Sequence, residues 1–465
     1  MNDTSGKFDH DVIIVGGGPA GVSCAIAVAQ KGYDVVILDK KRRNKIGDKT
    51  CGDAIDRGAV QRMYDRIGVA LPHDDEVSDP ISKMSLAADE IDLKVTLDAP
   101  GFQVNRLIYG QRLLEEAETA GVTIIDSAPV RGILTDHIDG ETYLTGVKYF
   151  HKGQELELRA KFTIDASGAY AAIRRELPNE FLLDGITREL SDDELWPTYR
   201  EIIQLDEAIA QHPWPEEIVL MFDADYPPPG YFWVFTEGEG YLNFGIGWEK
   251  TQDLGKLKER LKDEMALYYS EDQYKVIKRG GGQIPFRPPF DSLIFNGGAL
   301  AGDAACMVHP VTAEGHGPAL DTGSILGTVL ISALEQNRRD RDSLWDYNIQ
   351  VAHHYGKKHM EAHMMKELLR NIGANGLKYM IQREIFTEEE LNLIFSGGDI
   401  NNVMGMFGMI KRVVKLLPRP KILLGLFKVI NRSNKIADLY QNYPTTHAEL
   451  ETWRRRRNES LGVSF

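Results

Sequence analysis

The chain has 465 residues, 43% of them hydrophobic, enough for two or three substructures around a sizeable core. Its formal net charge of -15 excludes a general nucleic-acid binder, which needs a basic field, so no nucleic-acid partner is expected. Three scattered cysteines (Cys24, Cys51, Cys306) form no disulfide framework, Met1–Asp9 is polar with no apolar core, and no uncharged apolar run reaches the roughly 20 residues of a bilayer crossing; a cytoplasmic protein without a signal peptide is expected.

In chain order, Asp11–Val15 is a short β-branched run that ends in Gly16-Gly17-Gly18-Pro19-Ala20-Gly21. A helix-favouring stretch, Ala20–Lys31, follows, and then a second apolar run, Asp34–Leu38, closed by Asp39. Strand, glycine turn, helix and strand make one βαβ unit. Strand-like runs at Val122–Ile125 and Gly146–Phe150 and a helix around Gln111–Ala120 come next, and Phe162–Ile164 leads into Asp165-Ala166-Ser167-Gly168. Aromatic runs at Ile218–Phe222, Tyr231–Phe235 and Tyr241–Gly247 predict a largely antiparallel inserted sheet. Ala299–Gly302 resumes the strand-then-glycine style, and after about Ile325 the chain reads as helical.

The Gly16-x-Gly18-x-x-Gly21 spacing suits a bound pyrophosphate. The first glycine permits the tight turn, the second lets the anion approach the backbone, and the third lets helix pack on strand. Asp39 stands where a ribose hydroxyl would be met. Gly302-Asp303 can place a carboxylate on a ribityl chain, and His309–Gly317 is small and kinked, as a loop under a flat ring must be. Asp165-Ala166-Ser167-Gly168 fits either a wall over the adenosine side or an ordinary strand-ending turn. Tyr231, Trp233 and Phe235 share one strand face, either as a core stripe or as a flat apolar wall. Cys51 reads either as a reactive thiol or as a small buried hydrophobe, whereas Cys24 and Cys306 read as packing residues.

These motifs, in this order, resemble the para-hydroxybenzoate hydroxylase superfamily of flavoproteins. Ile46-Gly47-Asp48-Lys49-Thr50-Cys51-Gly52-Asp53 and Pro228-Pro229-Gly230-Tyr231-Phe232-Trp233-Val234-Phe235 narrow the resemblance to the geranylgeranyl reductases, nearest the archaeal members that saturate membrane-lipid isoprenoids. It runs from about Asp11 to Asn442-Tyr443-Pro444. Two departures stand out: Thr236 replaces the family's closing proline, and Ala313, Glu314 and His316 occupy a loop usually richer in glycine.

The resemblance implies an α/β flavoprotein with three parts. They are a Rossmann-like FAD-binding domain of para-hydroxybenzoate hydroxylase type (1–90, 100–188 and 290–330), an inserted antiparallel-sheet substrate domain (189–289) and a helical C-terminal region (331–465). FAD is the expected cofactor, held by Gly16, Gly18, Ala20, Gly21, Asp39, Lys40, Cys51, Gly52, Arg112, Asp165, Gly168, Gly302, Asp303, Gly315 and Gly317. No metal is expected. Tyr231, Trp233, Phe235 and Arg287 are expected to hold a geranylgeranyl chain, and Cys51 to act at the ring. Arg106, His309 and His316 are further candidates, the histidines as alternative acids. The implied reaction is FAD-dependent saturation of isoprenoid double bonds on a digeranylgeranylglycerophospholipid, with NAD(P)H or ferredoxin as electron donor. An aromatic monooxygenase and a non-catalytic prenyl carrier of the GDP-dissociation-inhibitor kind are the alternatives. Met404–Ile430 carries Lys411, Arg412, Lys415, Arg419, Lys421 and Lys428 among apolar residues, broken by Pro418 and Pro420, and Trp453 precedes Arg454–Arg457. That pattern fits either helices capping the core or a peripheral contact with the inner face of the cell membrane.

Overall fold

The computed structural model describes residues 8–88, 90–209, 216–223, 230–248, 253–395 and 412–461. Two eight-stranded sheets carry the fold. In the first, β1 (His10–Val15) pairs in parallel with β2 (Val35–Leu38), whose four residues are all apolar and buried. A parallel strand covered on both faces has no solvent side, so its sequence is a continuous apolar run. The order continues outward through β6 (Thr123–Ile125) on one side and through β9 (Gln154–Asp165), β16 (Gly298–Leu300) and β15 (Ile294–Phe295) on the other. The hairpin of β7 (Val130–Ile138) and β8 (Glu141–His151) joins through β9.

Helix α1 (Pro19–Ala29) is buried along nearly its whole length because α6 (His316–Glu335) lies across it. The two backbones touch: a side chain at Gly323 would come within 2.2 Å of the Ala20 carbonyl oxygen. Helix α6 is long and apolar enough to cross a membrane, but that character serves this internal crossing, with 83% of its apolar window buried. It begins at His316, nine residues before the expected helical region. Helix α2 (Arg57–Ile67) is capped by the Asp56 carboxylate on Ala59 N–H, and α3 (Arg106–Thr119) by Asn105, five residues ahead of the expected helix start.

The second sheet runs β14 (Tyr274–Pro285), β10 (Leu195–Leu205), β13 (Tyr241–Gly247), β12 (Tyr231–Thr236), β11 (Glu217–Phe222), β4 (Val77–Ala88), β5 (Glu90–Val104), β3 (Ala54–Asp56). All neighbours are antiparallel except β11 and β4. β3, β4 and the two ends of β5 fall within ranges expected for the FAD-binding part, and residues 91–99 of β5 within none, yet all three strands hydrogen-bond into the other sheet. Pairing β4 with β11 covers an edge that would otherwise expose unpaired backbone groups.

Alternation along β12 sorts its side chains. Phe232 and Val234 face α5 (Leu254–Met265), while Tyr231, Trp233 and Phe235 face the opposite layer with Val311, Leu369 and Leu377. After the short α4 (Asn179–Leu182) and, much later, α7 (Trp345–Val351), that layer is supplied by α8 (Lys357–Gln382), backed by α10 (Pro420–Gln441). Helices α9 (Glu388–Phe395) and α11 (Leu450–Leu461) complete the C-terminal region. Inside α8, Gly373 takes φ 66° and ψ 179°, a break that only glycine adopts readily. Pro228, Pro229 and the Met404–Lys411 part of the basic segment lie outside the described residues.

Candidate active site

The glycine turn after β1 is shaped by what it must avoid. Gly16 sits at φ 108°, and a Cβ there would fall 2.3 Å from the Ala166 carbonyl oxygen. Asp39 accepts from Gly17 N–H at 2.9 Å and Lys41 N–H at 2.7 Å, which ties the end of β2 to the turn. Helix α1 starts at Gly18 and Pro19 with no side-chain cap, and α6 starts at Gly315 with none either. Both starts border one cleft, lined by Gly17, Gly18, Gly47, Arg106 and His316 among others. Free N–H groups on two converging helix starts favour an anionic ligand, and the backbone around Gly16 leaves no room for a side chain. The residues present fit FAD.

Gly302 packs on Ala20, where a Cβ would stand 2.9 Å from the alanine methyl. Asp303 follows, nearly buried, and accepts from Lys49 Nζ at 2.5 Å. A Cβ on Gly317 would meet Glu314 Oε1 at 2.6 Å, so the loop from Ala313 to Gly317 closes on itself. The Tyr231 hydroxyl donates to the Thr312 carbonyl at 2.8 Å and joins the aromatic strand to that loop.

Four expected positions meet other partners within the fold. Arg112 donates to Glu76 at 2.7 Å, to Glu116 and to the Ala70 carbonyl at 3.1 Å, so its guanidinium is consumed within the fold; Arg106, on the same helix, lines the cleft instead. Asp165 is fully buried and spends both oxygens on Ser167, Ile173 N–H and Arg174 N–H, which makes it the organiser of the turn containing Gly168 and not a ligand. Arg287 pairs with Glu194 at 2.9 Å and stacks on Phe290 as an internal tie. Lys40 lies over the Tyr170 ring at 4.8 Å.

The candidate acids are also re-sorted. Burial, with the His359 ring beside it, holds His309 well below its ordinary pKa, and its Nδ1 accepts from Thr312 N–H at 3.2 Å. Burial and the Arg106 and Lys49 charges do the same to His316. Both rings are neutral near pH 7, so neither is an imidazolium donor.

Cys51 lies at the meeting of the two sheets, partly exposed, with its thiol donating to Asp53 Oδ1 at 2.7 Å. Burial and then the Asp53 charge push the thiol up to about 11, while Arg106 and Lys49 pull the other way. Gly52 must be glycine because the Phe235 ring covers it; a Cβ would fall 2.2 Å from that ring. Behind Cys51 is a buried polar group that the sequence reading missed. Asn243 Nδ2 donates to the Cys51 carbonyl at 3.2 Å, to Glu237 at 2.9 Å and to Asp53 at 3.4 Å, and Asn243 Oδ1 accepts from the Trp233 indole at 3.0 Å. Gln103 donates to the Gly52 carbonyl at 2.6 Å and to Glu237 at 3.0 Å. Arg200, 1% exposed, faces Asp53 at 3.4 Å. The signal was a polar residue at an inward position of an otherwise apolar strand, as in Leu242-Asn243-Phe244.

Comparison with known proteins places this geometry. Residues 9–189 match the model for an FAD binding domain, and FAD is the cofactor. A digeranylgeranylglycerophospholipid reductase of Sulfolobus acidocaldarius is 30% identical over 453 residues, covering 97% of this chain and 96% of that protein. The chain belongs to the digeranylgeranylglycerophospholipid reductase family. A second such reductase, from Methanopyrus kandleri, is 27% identical over 81% of this chain and 91% of its own. The reductase fold is shared with a geranylgeranyl bacteriochlorophyll reductase-like protein from Thermoplasma acidophilum, at 20% identity and TM-score 0.72, covering 90% of this chain and 99% of that one. It extends to a triple mutant of the flavin-dependent brominase Bmp2, at 16% identity and TM-score 0.62, over 88% and 100% of the two chains.

Proposed function

We propose that this reductase saturates the carbon–carbon double bonds of geranylgeranyl chains on digeranylgeranylglycerophospholipids. The observation that carries the reading is the position of Cys51 and its acid neighbours against the Trp233–Phe235 face, in a chain aligned end to end with a reductase of that name.

An isolated alkene has no carbonyl to polarise it, so hydride and proton must arrive almost together at adjacent carbons, with water excluded. Reduced FAD supplies the hydride. The residues supply the rest. Tyr231, Trp233 and Phe235 step along β12 with ring centroids 6.4 Å apart and their planes tilted by 65° and 46°, a continuous apolar run suited to a prenyl chain. Leu369 and Leu377 of α8 cover that run and flank Gly373. A prenyl chain enters by parting α8 from the stripe, and Gly373 is the joint that permits it.

The reductase takes electrons from NAD(P)H or ferredoxin in the cytoplasm and rests on the inner face of the membrane. Val414, Leu417 and Leu424 are 62–68% exposed, with Arg419, Lys421 and Lys428 exposed around them. An apolar cluster ringed by cations suits an anionic lipid surface.

The test is anaerobic incubation of dithionite-reduced protein with digeranylgeranyl lipid, read by mass spectrometry. Stepwise gain of two hydrogens per double bond is expected. Unchanged lipid, with substrate-stimulated oxygen uptake in air, would replace this reading with a monooxygenase. Sedimentation with anionic vesicles, lost in Leu417→Asp, tests the membrane contact.

A further inference from the structure

Two carboxyl groups, Asp53 buried and Glu237 partly buried, stand behind the Cys51 thiol, and the reaction as described moves no proton through either. We infer that Asp53 and Glu237 form a two-carboxyl, one-proton store that feeds Cys51 through Asp53, and that this store recharges the thiol after each saturation. The inference rests on the reductase reading for its chemistry.

The geometry is a relay with a dry end and a wet end. Asp53, 5% exposed, touches the sulfur through Oδ1 and turns Oδ2 towards Arg200 and Asn243. Glu237 is only partly buried, in the turn between β12 and β13, and its Oε1 takes bonds from Asn243 and Gln103. The two carboxylates therefore share one amide nitrogen. With both oxygens within 3.4 Å of that nitrogen, the gap between them is one that a single water can span.

Charge decides how many protons the pair holds. Arg200, 3.4 Å from Asp53, is a positive charge felt by both carboxyls. Arg106 from α3, Lys278 from β14 and Lys49 from the Cys51 loop add weaker positive fields, felt by Asp53 and the thiol. Gln103 and Asn243 bring no charge. Two ionised carboxylates in this space repel each other, so one proton stays on the pair until pH rises through about 7, as in other close carboxyl pairs. Burial and the Asp53 charge push Glu237 up to about 7, and burial raises Asp53 as well. A store at that level recharges a thiolate whose thiol stands near 11 in the downhill direction.

The balance is complete. Reduced FAD, when bound, would supply the hydride for a C–H bond at one alkene carbon and give up two electrons. The Cys51 S–H bond breaks as its proton forms the second C–H bond, leaving a thiolate. Glu237 passes its proton to Asp53, Asp53 hands it to the sulfur through Oδ1, and solvent refills Glu237 at its partly exposed edge. Asp53 and Glu237 act through Cys51 and are positioning residues in this scheme.

The test has two arms. In steady-state saturation fed by dithionite, the wild-type rate should fall as pH rises through about 7. Glu237→Gln should lose that inflection and run on the order of tenfold or more slower on the acid side, while Glu237→Asp restores the inflection. A Gln variant that keeps the wild-type rate and inflection overturns the store. The second arm needs no substrate. Iodoacetamide alkylation of Cys51, read by peptide mass, should climb with pH in two phases, with a break near 7 in the wild type and none in Glu237→Gln. The buried Cys24 and Cys306 do not compete. A single phase in the wild type overturns the inference even if lipid saturation is intact; a normal break with no lipid product overturns the reductase reading and leaves the acid pair standing.

Discussion

The acid pair makes a stability prediction that is independent of turnover. Glu237 is held at about 7 against an ordinary 4.5, first by burial and then by Asp53. For a carboxyl raised in the folded state, its contribution to stability is present in full below pH 4.5 and is lost as pH climbs to about 7. Each tenfold change in proton affinity is worth ~1.4 kcal/mol, so the whole displacement corresponds to ~3 kcal/mol of destabilisation carried by the wild type above neutrality. Glutamine keeps an oxygen for Asn243 and Gln103 but cannot ionise. Asp53 relaxes once its neighbour is neutral, so the two effects are not separable, and we expect Glu237→Gln to gain about 1–3 kcal/mol near pH 8.5 and little near pH 5. Urea unfolding followed by tryptophan fluorescence at both pH values measures the difference directly. Equal stability changes at the two pH values would refute the charge argument, since a purely steric or hydrogen-bonding effect has no reason to vary with pH.

Three further perturbations follow from single positions. Gly16→Ala forces a Cβ to within 2.3 Å of the Ala166 carbonyl at φ 108°, so the purified protein should lose most of its yellow flavin absorbance while it stays folded by circular dichroism. Asp321 is fully buried and accepts from Arg62 at 2.8 Å, Arg66 at 2.7 Å and the Tyr355 hydroxyl at 2.6 Å. Burial pushes its carboxyl up, but the Tyr355 and Arg62 bonds outweigh it and hold it below 3.8. Asp321→Ala should cost about 3–5 kcal/mol in urea near neutral pH, with a smaller penalty as pH falls below 3.8, where the wild type loses the same ion pairs. Gly373→Ala places a side chain at φ 66° and ψ 179°, a region costing of order 1–3 kcal/mol for alanine, and should lower both the melting temperature and the rate of lipid saturation.

The cofactor turn was legible because it is local: strand, glycine spacing and helix are consecutive, and their order carries the geometry. The aromatic stripe was legible for the same reason, since alternation alone puts Tyr231, Trp233 and Phe235 on one face. Arg112 and Arg106 could not be told apart that way. Both sit on α3, and only the packing of Glu76 and the Ala70 carbonyl against one face decides which guanidinium is consumed and which meets the cleft. Asp165 misled for a related reason: the N–H groups that claim it come from Ile173 and Arg174, eight and nine residues later. The β4–β5 hairpin carried strand alternation but no mark of which sheet it would join, because that choice belongs to the free edge of β11.

The Cys51 loop is where the two sheets are held in register, and this explains why so many unlike residues converge on it. Lys49 reaches Asp303 on the cofactor side, while Gly52 lies under the Phe235 ring and offers its carbonyl to Gln103 on the other. Asn243 fixes the Cys51 carbonyl from β13 and, through the same side chain, the Trp233 indole. A thiol on a loop anchored to one sheet alone would shift with every movement of the other. Here the sulfur, the cofactor-side carboxylate and the aromatic face are tied by bonds of 2.5–3.2 Å, so the distance between an acid and an apolar wall is set by hydrogen bonds rather than by loop packing. Covering α8 is the looser partner, with its break at Gly373, so opening for a long chain and holding the proton donor fall to different parts of the fold.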